Sequence, residues 1–532
     1  MNRRAIHLVF VLGSASLFAQ FPPQIKNVVV IVQENRTPDN LFQFLTPACP
    51  IPPGATGLAA CTPYPVTSSC YDVSPCGVSN QHGSLVSIPL QPAPLGTGHD
   101  PSHSHSAFLK MCDLDPNALL CRNDGAWNTS PKNSSYAYVA NTPLTNFDGT
   151  PGHVLDPYLT LAAQYGWANY MFQSNQGPSF PAHQFIFSGT SALSAADDAN
   201  SAFLAENPAL DVITKQAGCL ALEDGTNSVV SPALGAPAKG CTVNAARSVQ
   251  ECPILNKALV YPTNPVGTFC LSHESMADVL EPMSITWKYY AVAAGNIWTA
   301  PDAIQAICQP RWIHPKGDKK SGLECSGTEW NTHVDVHNFG TDILRDIANC
   351  NLANVVWATP NGPWSDHVAP YGPSWVAAIV NAIGNNPPCP AGTPGAGQTY
   401  WQDTAIVITW DDWGGWTDHE PPPSLGNLPC VSSNCPASYQ FGFRVPLIVV
   451  SAYTPAGFID DTQLDFGSIL RMIEGINQAP EGALGFADRR ATSDLQEFFT
   501  LTAPRPYVTI PAALDANFFL TYKGATVAPD SD

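Results

Sequence analysis

Two short pairs follow strand-like runs directly. Glu34 and Asn35 come after the β-branched stretch Asn27 to Gln33 (NVVVIVQ), and Asp411 and Asp412 come after Thr404 to Trp410 (TAIVITW). Carboxylates at buried strand ends repel one another unless a cation neutralises them. Several carboxylates with an amide oxygen make a hard donor set suited to a divalent metal. Taken alone, either pair equally fits a turn, the commoner fate of acidic residues after a strand. His333-Val334-Asp335-Val336-His337 carries histidines four apart, the spacing that grips a metal on a helix. It lacks the glutamate of that motif, and its valines argue against a helix. A loop or strand without a catalytic role fits it better, and His337 is the better of the two for a substrate contact.

The elements that must position these residues read as an α/β protein. Pro446 to Ser451, Ser284 to Val292 and Ala353 to Ala358 repeat the buried-strand pattern. Helical patterns at Leu159 to Tyr165, Ser374 to Ile383 and Phe466 to Ile476 lie between strands, as in a doubly wound, mostly parallel sheet. Ligands of such sheets gather at the carboxyl ends of the strands, where both pairs fall. Regions near 49–92 and 195–270 are rich in Pro, Gly, Ser and Cys, and read as insertions into that core.

The 532 residues are 44% hydrophobic, enough for a large core. Acids outnumber bases 43 to 23 for a formal charge of -20, so nucleic acid is not expected as a partner, and a phosphate site must carry its own cations or a bound metal. Residues 1–19 combine Arg3 and Arg4 with an apolar run ending at Ala19, the pattern of a signal peptide. No later run reaches the length of a membrane span. Sixteen cysteines fit disulfides in an oxidising compartment, so a secreted or periplasmic location is expected. Cys49 and Cys61, Cys70 and Cys76, Cys112 and Cys121, Cys241 and Cys252, and Cys430 and Cys435 are neighbours in sequence that could staple loops, with the connectivity left open.

Four blocks resemble the bacterial phosphoesterase family that contains phosphatidylcholine-preferring phospholipases C and a group of acid phosphatases. They are Ile25 to Phe42 (IKNVVVIVQENRTPDNLF), Gln176 to Pro181 (QGPSFP), Thr404 to Pro423 (TAIVITWDDWGGWTDHEPPP) and Phe466 to Phe498, in the family's order. The resemblance implies an alkaline-phosphatase-like core over 20–532 and a metal held by Glu34, Asn35, Asp411 and Asp412. It makes Ser179 the nucleophile and a further metal contact. Metal coordination would activate that serine without a histidine base. Asp100-Pro101-Ser102-His103, Ser365-Asp366-His367 and Asp418-His419 resemble the family's Asp-His elements. They make His103, His367 and His419, in that order, the expected phosphate ligands and proton donors, and a further phosphate-facing histidine is expected. His99 and His105 stay open, while His82, His153, His273 and His314 read as ordinary loop histidines.

The expected activity is phosphate ester hydrolysis through a phosphoserine. The family's phospholipases usually carry further C-terminal modules, and only about thirty residues follow the closing block here, which ranks phosphatase ahead of phospholipase C acting on phospholipid. Oxygen ligands admit calcium, magnesium, manganese or iron, and a histidine would admit zinc. A serine esterase is disfavoured because Ser179 lacks the GxSxG elbow. An inactive binding protein on the same fold is disfavoured by the retained ligands and serine.

Overall fold

Asn27–Gln33 forms β1, and all seven residues are buried. Such a run suits a sheet covered on both faces. In the computed structural model the described residues are 21–96, 100–113, 121–129, 134–199, 203–207, 216–221, 226–232, 242–244, 249–255, 270–313, 322–367, 369–423 and 441–524. The expected signal segment, His99, His314, Cys241, Cys430 and Cys435 lie outside them, while Cys252 falls within the strand Val249–Leu255. The other strands of the main sheet are β2 (Gly166–Ala168), β3 (Trp287–Tyr290), β4 (Val334–Asp335), β5 (Val355–Ala358), β6 (Thr404–Trp410), β7 (Leu447–Ser451) and β8 (Phe458–Asp460). Their spatial order is β4-β3-β5-β1-β6-β7-β2-β8. β7 runs antiparallel to β6 and β2, and the other pairings are parallel.

The helices that matter for the site are α1 (Pro38–Leu41), α2 (His105–Cys112), α3 (Asp156–Gln164), α4 (Ser179–Ser188), α5 (Gly372–Gly384) and α6 (Phe466–Ile476). Register places Val30 beside Trp357 and Gln33 beside Trp410. Three residues apart on β1, Val30 and Gln33 point to opposite faces. On the first face the Trp357 indole donates to the Ile186 carbonyl of α4 (3.3 Å), and Phe187 packs on its ring at 5.0 Å. On the second, Trp410 meets Tyr158 of α3 at 5.1 Å. α4 packs on α6 and α3 on α5, so helices cover both faces as a doubly wound sheet requires.

Within 195–270 the described residues form a small antiparallel sheet of Phe203–Leu204, Thr226–Pro232, Val249–Leu255 and Thr242–Asn244. Within 49–92 a hairpin pairs Cys76–Gln81 with Ser84–Pro89. Disulfides join Cys49 to Cys70, Cys61 to Cys76, Cys112 to Cys121, Cys219 to Cys270, Cys308 to Cys325 and Cys350 to Cys389. The neighbours Cys49/Cys61 and Cys70/Cys76 are thus not paired with each other but interlaced. A bridge between Cys49 and Cys70 closes the loop back onto its own stem, which proximity in sequence does not reveal. These bridges belong to an oxidising compartment. Among the described residues no helix is long and apolar enough to cross a membrane.

Candidate active site

β1 and β6 are parallel neighbours with Gln33 opposite Trp410, so the residues after them emerge side by side. The Asp411 amide donates to the Gln33 carbonyl (3.0 Å), and the Asn35 amide donates to Asp411 Oδ1 (3.0 Å). Asn35 takes a left-handed conformation (φ 61°), which Asn tolerates better than most residues. The chain after Asp412 then passes directly against it: a Cβ on Gly414 (φ 62°) would sit 2.3 Å from the Asn35 carbonyl oxygen. Only glycine fits there. The Asp412 amide donates to Asp411 Oδ1 (2.8 Å) and the Gly414 amide to Asp412 Oδ1 (2.7 Å). Each aspartate therefore spends one oxygen on the backbone and keeps the other for the site.

Ser179 opens α4. Its hydroxyl lies 3.3 Å from both Glu34 Oε2 and Asp412 Oδ2. One turn along, His183 shares the same face of the helix. Its Nε2 is 3.1 Å from Glu34 Oε1 and 3.5 Å from Asp411 Oδ2. The structure thus adds a histidine that the sequence reading missed. Its only signal was the spacing of four from Ser179 on a helix whose other residues are mostly apolar.

Glu34, Asp411, Asp412 and His183 are fully buried. Burial first, then the charges of Asp411 and Asp412, push Glu34 well above the usual carboxylate range. Burial and the Asp411 charge push Asp412 up to about 8, against the opposing pull of His103, the Gly414 amide and His367. Burial acts the same way on Asp411, but the hydrogen bond and charge of His183 outweigh it and hold that carboxyl at about 2. The cluster is short of positive charge, which a divalent cation would supply.

The amide of Asn35 fits the same role. Its Nδ2 lies 3.1 Å from His103 Nε2, while His103 Nδ1–H donates to the Pro101 carbonyl (3.1 Å), which orients the imidazole. Asn35 Oδ1 is left buried without a hydrogen-bond partner among the described residues. An unsatisfied buried acceptor beside carboxylates is costly unless a cation satisfies it.

His103 and His367 lie together, ring centroids 5.6 Å apart, and His367 Nε2 is 2.9 Å from Asp100 Oδ1. The turn carrying His367 is tied to β1: the buried Arg36 guanidinium donates to the Asp366 carbonyl and to Asn40 Oδ1 (3.2 Å), and lies 5.0 Å over the Trp416 ring. Asp366 accepts from Tyr158 (2.8 Å) and Trp410 (3.0 Å) and is a structural anchor. Gln33 accepts from its amide (3.0 Å).

Two expected histidines fall elsewhere. His419 turns both ring nitrogens to carboxylates that are not part of the Ser179 cluster, Nδ1 to Asp39 Oδ2 (2.9 Å) and Nε2 to Asp72 Oδ1 (3.1 Å). It belongs to a buried ion network in which Arg444 pairs with Asp72 and Asp418, each at 2.9 Å. His337 is 79% exposed beyond β4, the outermost strand on its side, and pairs with Asp335. Two strands, β3 and β5, separate β4 from β1. His333 stacks on Trp287 at 4.5 Å.

Residues 25–479 match the model of the Phosphoesterase family, and the chain belongs to that family. Among curated relatives, a non-hemolytic phospholipase C of Burkholderia pseudomallei is 30% identical over 164 residues, 27% of this chain and 22% of the relative. A non-hemolytic phospholipase C of Pseudomonas aeruginosa is 24% identical over 45% of this chain and 35% of its own length. Phospholipase C A of Mycobacterium tuberculosis is 24% identical over 44% of this chain and 46% of its own. The matched stretches thus span less than half of each of these relatives. A solved structure of an alkaline phosphatase superfamily protein from Vibrio parahaemolyticus aligns over 62% of each chain with 8% identity and a TM-score of 0.29.

Proposed function

We propose that the chain is a metal-dependent phosphoesterase in which Ser179 is the nucleophile and phospholipid is the substrate class. The observation that carries this is the convergence of the Ser179 hydroxyl with Glu34 and Asp412, both at 3.3 Å, at the ends of two adjacent central strands. A divalent cation held by Glu34, Asn35, Asp411, Asp412 and Ser179 would lower the pKa of the serine hydroxyl and neutralise phosphate oxygens.

The chain's own residues account for the rest. Ser179 Oγ attacks phosphorus in line, its proton passing to one of the two carboxylates already within hydrogen-bond reach. The bond from phosphorus to the lipid's glycerol oxygen breaks and that alcohol leaves, so the headgroup phosphate stays esterified to Ser179 until water hydrolyses the new ester and releases the phosphorylated headgroup. His103 and His367 bind phosphate oxygens and protonate the leaving oxygen. Burial of the site keeps bulk water from screening these charges.

The sequence alone ranks phosphatase first. The phospholipase C names of the relatives support lipid instead, and this chain's activity is tested directly by comparing phosphatidylcholine with a soluble phosphomonoester, each with and without chelator. Chelator-sensitive release of the phosphorylated headgroup is expected. Faster turnover of the monoester would restore the phosphatase reading, and no turnover of any phosphoester would leave a binding protein.

A further inference from the structure

Pro178 holds the cap position of α4, where its ring offers no acceptor, and Pro181 at the third helical position has no N–H. Of the two amides that a cap residue serves, those of the second and third positions, only that of Phe180 is therefore present. It donates to Asn207 Oδ1 at 2.9 Å. Asn207 thus caps α4 from within the 195–270 insertion. α4 is buried along its whole length, so an amide left without a partner there is costly. The segment that carries Asn207 is itself held fast. Leu204 exchanges hydrogen bonds with Ser191 beyond the end of α4, its amide donating to the Ser191 carbonyl (3.1 Å) and its carbonyl accepting from the Ser191 hydroxyl (2.9 Å). Ala205 passes so close to the turn before Ser179 that a Cβ on Gly177 would sit 2.0 Å from its carbonyl oxygen. Glu206 Oε2 accepts from the His105 amide at the start of α2 (3.0 Å), and His105 Nδ1–H donates to the Gln176 carbonyl (2.8 Å).

We propose, resting on the assignment of Ser179 as nucleophile, that Asn207 is a positioning residue for the reaction: by capping α4 it fixes the first turn and so the direction in which the Ser179 hydroxyl points. Ser179 is the first residue of α4 and Phe180 the second, so a first turn that frays swings the hydroxyl away from Glu34 and Asp412. A misplacement on the order of 1 Å in a reacting group costs roughly 10²-fold in rate. Through Glu206 the same segment also holds the start of the helix that follows His103. One short stretch of the insertion therefore sets the nucleophile and the phosphate-binding histidine relative to each other.

The test separates rate from fold. Diacylglycerol release from short-chain phosphatidylcholine is followed in a single turnover at saturating concentrations of the full-length, metal-loaded enzyme, where inactive protein does not alter the rate constant. Asn207→Leu keeps the bulk of the side chain without the acceptor, and should lower that rate constant by roughly 10–10²-fold. The enzyme concentration that gives half the maximal rate should stay unchanged. Asn207→Asp keeps the acceptor and should restore most of the rate. A merely structural contact would move the thermal unfolding midpoint and leave the rate constant alone. A wild-type rate constant in Asn207→Leu, or equal losses in the two variants, would overturn the positioning role. Hydrogen–deuterium exchange resolved to single amides should find the Phe180 amide protected in the wild type, a reading that needs no variant to fold, and an unprotected amide there would overturn the cap. Ser179→Ala run beside them tells the two claims apart. Retained turnover in Ser179→Ala removes the nucleophile and the proposal with it, whereas a dead Ser179→Ala beside an unimpaired Asn207→Leu removes the proposal alone.

Discussion

Ser179 has an ordinary serine hydroxyl, a weak nucleophile until its surroundings make it otherwise. Its position between Glu34 and Asp412 makes the serine the most sensitive residue of the site. Ser179→Ala should lower kcat by roughly 10³-fold or more with little change in stability, read by steady-state kinetics and thermal denaturation. His103 acts on a different step. His103→Gln should cost about 10²–10⁴-fold in kcat. It should cost less with an activated leaving group that needs no proton, a contrast measured with p-nitrophenyl and alkyl phosphoesters. Equal losses on both would remove the proton-donor role.

At the scale of elements, the site depends on how closely two strand ends approach. Gly414→Ala would drive a methyl group against the Asn35 carbonyl, so the β1 and β6 ends must part. Metal affinity should fall by tenfold or more while α4 stays folded, a prediction checked by zinc titration of the variant. The strands themselves were legible, since NVVVIVQ and TAIVITW are buried runs whose observed limits, Asn27–Gln33 and Thr404–Trp410, match the pattern. Their adjacency was not a matter of pattern: nothing in either run says that they pair. The same gap explains the histidines. His183 acquires meaning only from Glu34 and Asp411, which lie far away in the chain. His419 looks catalytic beside Asp418, yet its partners Asp39 and Asp72 come from other segments and consume both nitrogens. The valine-rich spacing around His337 predicted a loop or strand rather than a metal-binding helix; Val334–Asp335 is a strand, His333 ends the short helix Thr328–His333, and the edge position of that strand follows from topology alone.

Across the whole molecule, the network of Asp39, Asp72, Asp418, His419 and Arg444 ties α1, the disulfide-bearing 49–92 region and the approach to β7 to the loop that carries Asp411 and Asp412. Breaking a buried ion network from one side is expensive, so Arg444→Met should destabilise the protein by about 3–5 kcal/mol in chemical denaturation. Burial lowers the His419 pKa, but the charge and hydrogen bond of Asp39 and the hydrogen bond of Asp72 outweigh it and hold the value up to about 10. A histidine raised in the folded state stabilises fully below its unfolded value of about 6.5, and that contribution is lost as pH rises towards 10. The stability difference between wild type and His419→Gln should therefore shrink steadily from pH 6.5 to 10, and a constant difference would contradict the paired, protonated imidazole. The claim that unites these scales is that Ser179 carries the phosphoryl group. Quenching the metal-loaded enzyme during turnover of phosphatidylcholine and mapping its peptides by mass spectrometry should find one headgroup phosphate esterified to Ser179 in the wild type and none in Ser179→Ala. Undiminished turnover in Ser179→Ala, or a phosphoryl group on another residue, would contradict the account.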